Sequence, residues 1–219
     1  MHPIKITIPG TYWDSQIYKG SLYLFDRSGS IRTINWDALI DSLRLPAELK
    51  VAAKISLCRG SYLYGTALEL LLSDLEILKS LEQKFKALAK LDIHLSEKML
   101  AKFTIGEQQN LFAFPHNDSQ IYYDSLYVGT KDGITRAGCG KGTVKPISQR
   151  IKLVTDCPTL SFSPKYQALA IAAGDEGLYE LSLAGENAQP LTKLSKENTF
   201  ATEWVYHSVL GSCESELLI

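Results

Sequence analysis

Ten residues near the start of the chain, DSQIYKGSLY from Asp14 to Tyr23, return as DSQIYYDSLY from Asp118 to Tyr127, with eight of the ten letters unchanged and an offset of 104 residues. Such a near-literal echo constrains the fold more than any bulk property. Internal repetition marks architectures that stack one supersecondary unit several times. The downstream glycines agree, because Gly29 and Gly133 are also 104 residues apart. The whole unit therefore keeps register, and not only the phrase.

Each copy reads as a strand, a turn and a returning strand. In the first, SLYLF is short, aromatic and β-prone, DRSG breaks it, and SIRTINW resumes the alternation. In the second, SLYVGT, KDG and ITRAG take the same roles. The glycine supplies the positive φ that a tight hairpin turn demands. A third unit, TLSFSPKYQALAIAAGDEGLYELSL, places its turn glycine at Gly177, 44 residues after Gly133. A fourth, TEWVYHSVLGSCESE, matches the first half of the unit and lacks its return strand. Periods of roughly 40–50 residues built from short antiparallel strands are the mark of a β-propeller.

The interval between the first two copies holds either two repeats or one repeat plus an insertion. VAAKISLCRGSYLYGTALELLL, from Val51 to Leu72, is a candidate for the missing blade. After it, Ser73 and Glu76 form a capping-box pattern before Leu75, Leu78, Leu81, Phe85 and Leu88. That spacing predicts an amphipathic helix from Asp74 to Lys90, with Glu76, Lys79, Glu82, Lys86 and Lys90 on its solvated face. Its apolar face is expected either to cap an open sheet edge or to dock onto a partner. The expected fold class is mainly β: an incomplete propeller-like array of antiparallel blades with one amphipathic helical insertion. Residues 1–65 would hold the first blade and the start of a second, 66–105 the insertion, and 106–219 the further blades, the last incomplete.

The third unit resembles the WD40 repeat, with its FSP strand and turn, a small-residue strand, and D-x-G before the last strand. The first unit ends in INWD, where such repeats often carry Trp-Asp, here Trp36 and Asp37. No Gly-His pair opens a unit, and the third has Tyr179-Glu180 near its end, so the chain is WD40-like or generally propeller-like. The resemblance implies a structural role for Asp14 and Asp118, holding loop backbone in turns, beside the turn residues Gly29, Gly133 and Gly177. Propellers have about four to eight blades. With three or four units, the chain is expected to be a fragment of a longer protein, one part of a split propeller, or a protomer that completes its ring with another copy.

Few function classes survive the composition. With 23 basic and 24 acidic residues the formal charge is −1, which gives no general grip on nucleic acid. No run of about 18 apolar residues offers a membrane span, and the N-terminus lacks a signal-peptide core. Cys58, Cys139, Cys157 and Cys213 form no CxxC pair, so reduced thiols in a cytoplasmic protein are expected rather than zinc or redox chemistry. His2, His94, His116 and His207 share no metal-ligand spacing. AGCGKGTV, from Ala137 to Val144, looks like the end of a phosphate loop. Thr135 stands where that loop needs its first glycine, and Pro146 follows where a helix should run, so it is read as a glycine-rich connection.

No catalytic residue, metal site or cofactor is therefore expected. The expected function is a non-catalytic protein–protein interaction scaffold. Its partner is a protein, which includes another chain or copy completing the propeller. Trp13, Trp36, Trp204 and Tyr123 are its candidate contact residues, because large aromatics dominate interfaces. One alternative is a small-ligand or sugar-binding domain or hydrolase on the same frame, with Asp14, His116, Asp118 and Asp175 as its polar groups. The other is an obligate structural subunit completed by another chain.

Overall fold

Three four-stranded sheets, one three-stranded sheet and one two-stranded sheet organise the described strands. The computed structural model describes residues 3–58, 66–140, 144–184, 190–214 and 216–219. In chain order the elements begin with β1 (Lys5–Thr7), β2 (Tyr12–Tyr18), β3 (Ser21–Asp26) and β4 (Ile31–Asn35). Helices α1 (Trp36–Asp41), α2 (Ala47–Leu57), α3 (Thr66–Leu72) and α4 (Leu75–Leu88) follow, then β5 (Asp92–His94), α5 (Glu97–Phe103) and β6 (Thr104–Gln108). The remainder is strand: β7 (Asp118–Tyr122), β8 (Ser125–Thr130), β9 (Gly133–Cys139), β10 (Ile147–Thr155), β11 (Ser161–Lys165), β12 (Ala168–Ala172), β13 (Leu178–Ser182), β14 (Leu191–Ser195), β15 (Thr199–Val205), β16 (Ser208–Cys213) and β17 (Leu217–Leu218).

The fold class is mainly β, a propeller-like series of antiparallel blades with a helical insertion. The chain divides into two units. One draws on Met1–Leu24 and Arg32–Glu107, the other on Phe25–Ile31, Gln108–Lys141 and Pro146–Ile219.

In the first unit, β2, β3, β4 and β6 form a four-stranded sheet in that order, and β1 pairs in parallel with β5. The fourth strand, β6, arrives only after all five helices. The 104-residue interval is thus one repeat with an insertion between its third and fourth strands.

The helices start earlier than the sequence indicates. Val51 to Leu57, part of the candidate blade, lies in α2 with Cys58 as its C-cap, and the rest of that stretch that is described is α3. The reason is composition: AELKVAAKISL is rich in Ala and straight-chain residues, and Leu49, Ala52 and Ala53 fall on one buried face. Asn35 caps α1 by accepting the Ala38 N–H at 3.1 Å. The Trp-Asp pair therefore opens a helix instead of closing a blade. The cap of α4 is Asp74, whose carboxylate accepts the N–H groups of Glu76 and Ile77; Ser73 instead donates its hydroxyl to the Leu70 carbonyl. Helix α4 packs on α2 and sends Leu88 and Phe85 into the unit's own core with Leu22, Leu24, Ile34, Leu39 and Leu100. It serves that core, and its first-turn Leu75 and Ile77 stay exposed.

In the second unit three sheets follow one another: β7 to β10, β11 to β14, and β15 to β17. Central strands β8 and β12 are buried on both faces, which is why SLYVGT and ALAIA read as apolar runs. Phe162, Leu169, Ile171, Tyr127, Ile134 and Leu181 form the core between sheets. The fourth blade-like unit does have a return strand, the two-residue β17 paired with β16.

Gly133 (φ 120°) and Gly177 (φ 102°) play matching parts. A Cβ at either would run into a carbonyl at the end of the sheet's outermost strand, that of Thr155 or of Ser195. Both conformation and contact thus require glycine. Gly29 (φ 79°) lies in a longer turn closed by the Asp26 N–H donating to the Ser30 carbonyl at 3.0 Å.

Candidate functional site

The two letters that differ between the copies of the phrase are the two loop residues of a hairpin. In the second unit, Tyr122 pairs with Ser125, Lys165 with Ala168, and Val205 with Ser208. Each connection is therefore two residues long: Tyr123-Asp124, Tyr166-Gln167 and Tyr206-His207. The first loop position is tyrosine every time. Each tyrosine holds a left-handed backbone, with φ of 44°, 50° and 52°. Two-residue hairpins favour Asn, Asp or Gly at such positions, because a Cβ in the left-handed region costs about 1–2 kcal/mol. Three tyrosines in three consecutive sheets accept that cost and remain open to solvent, at 68%, 54% and 80% exposure. Lys19 holds the same position at φ 45°, so the left-handed backbone belongs to the turn, and the exposed tyrosine is what sets these three tips apart.

The three tips are continuous. The Tyr122 hydroxyl accepts the Gln167 N–H at 2.9 Å, joining the first tip to the second. Tyr166 stacks on His207 with centroids 5.2 Å apart and rings 16° from parallel, joining the second to the third. Trp204 meets Tyr166 edge-on at 6.1 Å, and Tyr122 meets Tyr123 at 4.4 Å. The Lys165 ammonium lies 5.0 Å from the Tyr166 ring centre and 6.0 Å from that of Tyr206. The outcome is an aromatic band across one end of three sheets, with a planar polar side chain beside each tyrosine.

The sequence-chosen contact residues distribute unevenly. Tyr123 is in the band and exposed. Trp204 is half-buried beneath Tyr166, and its backbone N–H donates to the Ser163 hydroxyl at 3.2 Å. Trp13 is exposed on β2 of the first unit. Trp36 cannot contact a partner in this conformation. It is 3% exposed, inside the first unit's core, with its indole N–H donated to the Leu57 carbonyl. Tyr166 and Tyr206 join Tyr123 in the band, and aligning KYQAL and VYHSV with YYDSL puts all three tyrosines in one column.

Asp14 lies inside β2 and Asp118 opens β7, so neither sits in a turn. The Asp118 carboxylate accepts the Phe162 N–H at 2.9 Å, tying β7 to β11 of the next sheet. Burial holds its pKa above the ordinary carboxylate range, against the hydrogen bonds from Phe162, Ser161, Ser119 and Gln120 that pull it down. His116 is buried against Phe25 at 5.2 Å, and Asp175 is an exposed turn residue. Among the described residues no group of three His, Cys, Asp or Glu side chains could hold a metal. All four cysteines are free, and burial pushes the thiols of Cys58 and Cys157 up to about 11. Of AGCGKGTV, Ala137 to Cys139 belong to β9, and Lys141 to Thr143 lie outside the described residues. No described helix is long and apolar enough to cross a membrane.

No protein-family model and no curated protein matches the chain. Among solved structures the chain is similar to the computationally designed Ika4 protein, with 8% identity and a TM-score of 0.46 over 100% of this chain and 98% of that one. It is also similar to the beta-propeller domain of Myceliophteria thermophila Cps50 (Swd1), with 11% identity and a TM-score of 0.40 over 90% of this chain and 64% of that domain. The fold assignment rests on the strand topology itself.

Proposed function

We propose that this chain is a non-catalytic, WD40-like interaction module that binds a protein partner through the aromatic band of its second unit. The observation that carries this is the exposed, left-handed tyrosine at one loop position of three consecutive sheets. Tyrosine gives large, rigid contact area at low conformational cost and ends in a hydroxyl, which suits an interface better than it suits a turn. Four free cysteines, two of them held as neutral thiols, fit work in the reducing cytoplasm.

The test is tyrosine nitration mapped by mass spectrometry, on the chain alone and on the complex recovered by native purification. Protection of Tyr123, Tyr166 and Tyr206 in the complex is expected, with loss of the partner on Tyr206→Asn. A complex that leaves all three as reactive as in the free chain would refute the assignment.

A further inference from the structure

We infer that the helical insertion is a built-in cap: it holds the face of the first unit's four-stranded sheet on which a further blade would stack, so no second copy of this chain closes a ring of blades there. Alternation defines that face. Leu22 and Leu24 on β3 and Ile34 on β4 belong to one buried cluster, at 2% exposure or less. Successive strand residues point to opposite faces, so a shared cluster means a shared face. Leu39 of α1, Ala52 of α2, Leu88 of α4 and Leu100 of α5 belong to the same cluster, each 0% exposed. The polar contacts agree. Arg32 lies two residues before Ile34 on β4 and therefore on its face. Its guanidinium donates to the Glu97 carboxylate of α5 and to the Glu107 carboxylate of β6, each at 2.6 Å. The end of the insertion is thus pinned to the sheet it covers.

A blade with neighbours on both sides is built differently. Strand β11 touches β7 of the preceding sheet and β15 of the following one, so the sheet of β11 to β14 has a sheet on either side. A closed ring asks this of every blade, because radial repetition around a channel has no end. The first unit's sheet offers one face at most, and that face carries Tyr23 and Thr33, which are buried as well. A newcomer on the helical side would have to expel four helices and leave their apolar side chains facing water. Stacked arrays end in caps with a polar outer surface. Helix α4 has one: Glu76, Lys79, Glu82 and Lys86 are exposed on it, while Leu81 and Leu88 are buried.

The experiment is hydrogen exchange read by mass spectrometry on the full chain, at low and at high concentration and in the complex recovered by native purification. Amides of α1, α2, α4 and α5 should keep the same protection in all three samples, because nothing displaces the cap. Leu88→Asp puts a carboxylate into the shared cluster and should release the helices. The bared sheet face should then make the chain self-associate in sedimentation velocity, with β8 and β12 of the second unit still protected. Loss of helix protection in the concentrated or complexed wild type would overturn the inference, since another sheet would have taken the face. So would a Leu88→Asp chain that loses its helix protection, keeps that of β8 and β12 and stays monomeric, or a closed ring of blades in electron micrographs of the wild type. If β8 and β12 also lose protection in Leu88→Asp, the variant has unfolded and exchange on the wild type decides alone.

Discussion

The hairpin between β2 and β3 and the hairpin between β7 and β8 are spelled with the same eight letters, yet their tips face opposite tasks. In the first, the loop is Lys19-Gly20. The Gly20 carbonyl accepts the N–H groups of Trp36 and Asp37 at 2.9 and 3.3 Å, and the Asp37 carboxylate lies where a Cβ of Gly20 would be. That tip docks the chain's own helix α1 and carries the insertion. In the second, the loop is Tyr123-Asp124, and the tyrosine is open to solvent. Eight shared letters build the strand pairing, and the two that differ decide whether the tip serves the interior or the surface. Divergence inside a repeat thus separates a tip that packs on its own chain from one left open to solvent.

The comparison can be broken hardest by moving the second loop into the first. Lys19→Tyr with Gly20→Asp forces a side chain into the Asp37 carboxylate and sets two carboxylates together. We expect a loss of about 3 kcal/mol in urea unfolding, from overpacking and an uncompensated charge. The reciprocal graft, Tyr123→Lys with Asp124→Gly, should cost no more than about 1 kcal/mol, since it removes the edge contact with Tyr122 at a tip otherwise open to solvent. Equal costs for the two grafts would show that the tips are interchangeable.

A middle-sized effect should come from Asp118, the residue that ties one repeat to the next. Asp118→Ala leaves the Phe162 N–H without its acceptor and should cost about 1–2 kcal/mol. Asp118→Asn keeps an acceptor there and removes the buried charge, so it should stay close to the wild type at pH 7. The two should differ in pH dependence. Because the native carboxyl titrates above its ordinary value of 3.8, the folded state takes up a proton first as pH falls. The wild type should therefore gain stability from this group between the raised native value and about 3.8, and lose it again as pH rises. Asp118→Asn should lack that gain, which chemical denaturation at a series of pH values will read directly.

The smallest effect sharpens the comparison most. Tyr206→Asn places a residue suited to the left-handed region in its loop and should stabilise the chain by about 0.5 kcal/mol in thermal unfolding. Tyr123→Asn and Tyr166→Asn also lose the ring contacts with Tyr122 and His207 and should come out near neutral. Destabilisation at all three would mean that the tyrosines are there for folding.

From the letters alone came the repeat, its register, the mainly β class and the α4 helix, because each depends on local pattern: alternation, turn glycines and three-to-four spacing. Gly133 and Gly177 were legible for the same reason, since a positive φ is a local demand. Tyr123 was visible, and Tyr166 and Tyr206 were within reach once the hairpin loops were aligned. What the letters did not carry was nonlocal. VAAKISL alternates well enough at its end to pass for a strand, and the Ala-rich, straight-chain composition of the longer segment together with its packing on α4 makes it helical. Trp36 has the composition of a contact residue, and only the core around it hides it. The insertion falls between the third and fourth strands of one sheet because β6 pairs with β4 across more than sixty residues, from Asn35 to Thr104. Periodicity reports which face of a segment is apolar; which partner covers that face, and whether any does, is decided by contacts between residues far apart in the chain.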